Sequence, residues 1–206
     1  MPAPIPRRHA FGPASEGLAL SGFLYALLAA LLASLGARDQ ALVGQLGAAQ
    51  GRRPALLIAA LVTAVLSSAL AAWLGGRMLG GMAPAARGLF GAIALLLAGG
   101  EMLFLAPKPA PQEPTHSLFA AGVVLLALQL TDAARFLILA LAVGTAAPIT
   151  AGLGGALGSM AALVAAWAAP HLLASREARV ARRVIGAVLL LVGLAIGVPN
   201  VIGINV

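Results

Sequence analysis

SLFAAGVVLLALQLTDAARFLILALAV, residues Ser117–Val143, is apolar along its whole length except for one polar island, Gln129 to Arg135, near its middle. A helix needs about 20 apolar residues to cross a bilayer, and this run exceeds that. Asp132 and Arg135 would then lie within the hydrocarbon layer. A charge there costs at least about 2.5 kcal/mol on insertion scales, so it ordinarily marks an ion path or a binding site. A second island, Arg38-Asp39-Gln40, interrupts the first apolar stretch in a similar place. Two matching islands in two apolar runs point to a membrane transport site.

The rest of the chain agrees with a membrane setting. It is 206 residues long, 61% hydrophobic and 9% charged, with a mean hydropathy of +1.01. A soluble domain carries roughly 25% charged residues. Six stretches are long and apolar enough to span: 18–49, 54–76, 86–106, 117–143, 148–172 and 183–203. The first and fourth contain the islands and are expected to be broken, two-part helices. Residues 107–116 form a Pro-rich linker, with Lys108 and Glu113, that cannot continue a helix. The expected fold class is therefore an all-α membrane protein with six transmembrane helices.

The net charge of +7 reads as loop arginines that orient a membrane protein, and no nucleic-acid partner is expected. Arg52, Arg53, Lys108, Arg176, Arg179, Arg182 and Arg183 fall in one set of loops, and Arg7, Arg8, Arg77 and Arg87 on the other side. That imbalance favours both termini outside. The first apolar run is longer than the hydrophobic region of a signal peptide, so it is read as a span. Cysteine is absent, which excludes disulfides and thiol chemistry. His9, His116 and His171 show no ligand spacing, and no nucleophile–base set is visible, so an enzyme is not expected.

The two halves repeat each other. Pro54 and Trp73 recur as Pro148 and Trp167, 94 positions on, and Arg87 and Gly91 recur as Arg182 and Gly186, 95 positions on. The islands also align at 95, setting Ser34–Gln40 against Gln129–Arg135. The chain divides into a tail (1–17), a first three-helix unit (18–106), the linker, and a second unit (117–206). An odd number of crossings per unit inserts the second upside down, an inverted repeat that puts paired helix breaks near the bilayer midplane. Gly36 suits the first break, and Thr131 holds the equivalent place in the second. The Gly154–Gly158 spacing signals close helix packing. Trp73 and Trp167 read as interfacial anchors or as core, and Ser67, Ser68 and Ser159 as cross-helix hydrogen-bonding groups.

These islands resemble the second calcium:proton antiporter family, which includes Golgi manganese/calcium and chloroplast manganese transporters. That family carries Glu-x-Gly-Asp-(Lys/Arg)-(Thr/Ser) once in each half. Here the first copy reads Ser34-Leu35-Gly36-Ala37-Arg38-Asp39 and the second Gln129-Leu130-Thr131-Asp132-Ala133-Ala134. Gly36, Arg38 and Asp132 match the motif, and Gln40 matches the residue that commonly follows it. Ser34 and Gln129 stand where the family has Glu, and Ala37 stands where it has Asp. The resemblance covers about residues 18 to 200. It implies a secondary transporter exchanging Mn2+ or Ca2+ against protons, with no resident cofactor and with Asp132, Gln129, Ser34 and Asp39 as the cation's oxygen ligands.

Asp39 lies two residues from any family ligand position, a turn of about 200° on a helix. Gln129 and Asp132, three apart, share one helical face. Glu101 reads as an interfacial acid near Lys108 or as a proton relay. Arg38, Asp39, Asp132 and Arg135 sum to zero charge, and pseudo-symmetry suggests the pairs Arg38–Asp132 and Asp39–Arg135. If both formed, guanidinium groups would fill the cation site and the chain would be a non-transporting structural or regulatory membrane protein. The expected surroundings are a lipid bilayer, given the composition a bacterial inner membrane, with a homo-oligomer left open.

Overall fold

The computed structural model describes residues 13–105, 116–173 and 175–202, and among them there are helices and no strand. In chain order these are α1 (Pro13–Ala33), α2 (Arg38–Ala49), α3 (Pro54–Leu79), α4 (Pro84–Phe104), α5 (Leu118–Leu130), α6 (Ala133–Gly144), α7 (Pro148–Ala168), the single turn α8 (Pro170–Leu173) and α9 (Arg176–Ile202). Proline opens α3, α4 and α7, where a missing N–H costs nothing and the fixed φ suits the first turn.

Four helices, α3, α4, α7 and α9, are each long and apolar enough to cross a membrane. The pairs α1–α2 and α5–α6 qualify as two further spans, bent by 61° and 54° at their breaks. Both expected two-part helices are therefore present. At the first break Gly36 adopts φ +63°, a left-handed conformation that residues with a Cβ rarely take. The second break needs no such conformation. Thr131 caps α5 at φ −108°, and Asp132 starts α6 from extended backbone at φ −92° and ψ 150°.

Size is distributed as expected for helices in lipid. The interior is dominated by small residues, among them Ala26, Ala30, Ala60, Ala64, Ala98, Ala133, Ala134 and Ala166, all fully buried. Large side chains such as Leu20, Leu28, Ile58, Leu97, Leu153 and Leu191 face outward. Lipid tails solvate leucine as well as a protein core does, so association rests on close backbone approach instead. At Gly154 and Gly158 a Cβ would collide with the carbonyl oxygens of Phe23 and Leu27, which identifies the Gly154–Gly158 spacing as the α1–α7 contact.

Packing places α6 at the centre, against α1, α3, α4 and α7, while α4 lies along α9 and α1 along α7. The sixth helix differs from expectation. It begins at Arg176, not 183, so the basic run read as a loop is helical. Trp73 is exposed, with Arg77 at 6.0 Å from its ring, whereas Trp167 packs inward against Gly47. His116 and His171 are exposed. His9, Lys108 and Glu113 lie outside the described residues.

Candidate ion site between two broken helices

Each break exposes backbone carbonyls that a continuous helix would have used. Arginines take them up. Arg182 of α9 donates through Nη1 to the carbonyls of Ala33 and Leu35, at 3.2 and 3.1 Å, at the end of α1. Arg38, the first residue of α2, donates through Nη2 to the Thr131 carbonyl at 3.0 Å, at the end of α5. One side chain from the first break thus caps the second, and the two breaks are neighbours in space.

Glu101 of α4 ties these arginines together. Arg182 Nη2 donates to both its carboxylate oxygens at 2.9 Å, and Arg38 Nε lies 3.5 Å from Oε1. Glu101 and Arg182 are both buried. The expectation of an interfacial Glu101 is corrected by its burial, while Lys108, its expected neighbour, lies outside the described residues. Glu101 is the anion of a buried network, because α9 starts early enough to carry Arg182 inside the bundle. That also removes Arg182 from the loop count used for orientation.

A second polar layer surrounds the start of α6. Arg135 is 3% exposed and is held by two serines from different helices. Its Nε donates to Ser67 Oγ of α3 and its Nη1 to Ser159 Oγ of α7, both at 2.9 Å. Ser67 Oγ lies 3.4 Å from Gln129 Oε1, so the buried Gln129 joins the layer. The expected cross-helix role of Ser67 and Ser159 is met, and their partner is this guanidinium. Ser68 Oγ is buried without a partner.

Asp132 is the exception. It is 2% exposed, and neither carboxylate oxygen accepts a hydrogen bond from the described residues. Aspartate at an N-cap ordinarily turns back onto the helix N–H groups. Asp132 occupies that position in α6 without capping, so its oxygens remain available. It lies within electrostatic reach of Asp39, Arg135, Glu101 and Arg182. Asp39, buried in the first turn of α2, accepts through Oδ1 from the Gln40 N–H at 2.7 Å. Gln40 in turn accepts from the Gly36 N–H at 3.0 Å, which braces the break. Ser34 is buried in the last turn before it.

The suggested pairs Arg38–Asp132 and Asp39–Arg135 are both corrected. Among the described residues the ion pairs are those of Glu101 with Arg38 and Arg182. Pairing the islands with each other left out the third helix of each half, which supplies Glu101 and Arg182. Arg182 is the residue that sequence reasoning missed. Its signal was the repeat, since Arg182 is the counterpart of Arg87, just inside the first-half helix α4.

Asp132, Gln129, Ser34 and Asp39 are buried at the two breaks as expected, but they do not make a conventional metal cage. Among the described residues no cluster of three or more His, Cys, Asp or Glu side chains is positioned to hold a metal. An apolar crevice of about 330 Å3 bordered by Tyr25, Leu32, Leu95, Leu137 and Leu189 contains none of these groups. Fold and site together define a multi-pass membrane protein with a charged centre between two broken helices. No family model, curated protein or solved structure matches the chain.

Proposed function

We propose that this chain is a secondary transporter that exchanges a cation against protons, in the manner of the antiporter family its motifs resemble. The single observation that carries the reading is Asp132, a buried carboxylate with both oxygens unpartnered among the described residues, at the break of a candidate membrane span. A charge in that position must be neutralised, by a bound cation or by a proton. Alternation between the two is the elementary step of exchange. Gln129 beside it, Asp39 at the facing break and Ser34 are the remaining oxygen-bearing groups. The resemblance implies Mn2+ or Ca2+ as cargo, and the composition suggests a bacterial inner membrane as the setting.

The inverted-repeat reading supports alternating access. Each half contains a broken span, then a Pro-started helix, then a third helix. α1 and α2 pack against α7, and α5 and α6 against α3, so each broken span leans on the second helix of the other half. Rocking one half against the other about the paired breaks would open Asp132 to either side in turn.

A second reading has its own observation. The network of Glu101, Arg38 and Arg182 locks both breaks to α4 and α9, which suits a static membrane subunit derived from a transporter. Proton flux in proteoliposomes decides between the two. With an internal pH dye and pulses of Mn2+, Ca2+, Na+ or K+, at least one ion is expected to drive flux that Asp132→Asn abolishes. Absence of flux with every ion, from folded and inserted protein, would favour the static subunit.

A further inference from the structure

We propose that Arg135 is a resident counter-cation that limits the site to one transported positive charge, so that the cargo is a monovalent cation and not Mn2+ or Ca2+. This rests on the transport reading above and narrows its substrate class.

The buried set contains three acids, Asp39, Glu101 and Asp132, against two bases, Arg135 and Arg182. The third arginine, Arg38, has its Nε buried 3.5 Å from Glu101, so three arginines balance the three acids. A monovalent cation that replaces a proton on Asp132 leaves the charge of the set unchanged. A divalent cation would add a further positive charge in the hydrocarbon layer, where no counter-ion is at hand.

Arg135 is held by neutral groups. Its anchors, Ser67 and Ser159, are neutral hydroxyls on two other helices. The guanidinium is thus fixed within the field of Asp39 and Asp132 without occupying the oxygens of either. Asp132 keeps both oxygens for cargo, and the cargo meets a fixed positive neighbour. One unit charge about 6 Å away, at an effective dielectric of about 20, weakens divalent binding by roughly 100-fold more than monovalent binding.

Divalent Ca2+ takes six to eight oxygens, several from carboxylates. Here Asp39 Oδ1 is engaged by the Gln40 N–H, Gln40 Oε1 by the Gly36 N–H, and Gln129 Oε1 lies against Ser67. The repeat identifies the change responsible. Arg135 occupies the position that the neutral Gln40 holds in the first half, 95 residues earlier.

The test is uptake of radiolabelled sodium, rubidium, manganese and calcium into proteoliposomes under an imposed proton gradient. Wild type is expected to take up sodium or rubidium and to exclude manganese and calcium. Arg135→Gln, which restores the residue of the first half, is expected to raise the divalent-to-monovalent uptake ratio by roughly 100-fold. Arg135→Lys is expected to keep the wild-type preference. Divalent uptake by wild type would overturn this inference and leave the transport reading intact. Monovalent uptake with no change of preference in a folded Arg135→Gln would also overturn it. No uptake of any ion by wild type would remove the transport reading and this inference with it. Should Arg135→Gln fail to fold, the wild-type selectivity alone decides.

Discussion

Asp132 and Glu101 are both buried carboxylates within the same bundle, yet their surroundings give different expectations. Both Glu101 oxygens accept from Arg182 Nη2, a second guanidinium lies beside them, and removing the Glu101 charge leaves Arg182 buried without its paired counter-charge. Breaking such a pair costs about 3–5 kcal/mol, so Glu101→Gln should markedly lower the thermal midpoint of the protein in detergent. Asp132 accepts no hydrogen bond among the described residues, although its charge lies in the field of the buried Arg135. Asp132→Asn should therefore lower the midpoint less than Glu101→Gln does, because no hydrogen-bonded ion pair is broken. Thermal unfolding of the two variants beside wild type checks both. The islands themselves were legible in the sequence because a charge in an apolar run is conspicuous. Their partners were not, because an ion pair is a property of packing, and Arg182 sits in a basic run that composition assigns to a loop.

At the scale of the helix, the breaks and the close contacts follow from particular residues. Gly36 was recognisable as a break because only a residue without a Cβ takes its φ of +63° easily. Thr131, which holds the equivalent place, carries a Cβ, and the second break forms differently, by ending α5 and restarting α6 from an extended Asp132. The offset of Asp39 on α2 could not be resolved from spacing, since a break resets helical phase. Glycine spacing was more informative. Gly154→Leu would force α7 away from the Phe23 backbone, at a cost of about 1–3 kcal/mol or more, as for other overpacked contacts. Gly122→Ala, with nothing within 4 Å of the added Cβ, should be neutral or stabilising by up to about 1 kcal/mol from helix propensity. Size-exclusion profiles and thermal midpoints of the two variants separate these outcomes.

For the molecule as a whole, the two breaks, α4 and α9 form one connected polar centre inside a shell of large apolar side chains. Composition and apolar run length made the membrane setting and the span boundaries readable almost throughout, apart from the start of α9. The central claim is that Asp132 is the group the cargo binds. Carbodiimide labelling of the purified protein, read residue by residue by mass spectrometry, tests it most directly, because the reagent attacks buried carboxyls that lack a counter-charge. The account predicts labelling at Asp132, little at the arginine-paired Glu101, and protection of Asp132 by the transported cation. Labelling at Glu101 with Asp132 untouched, or labelling of Asp132 that no cation suppresses, would contradict it.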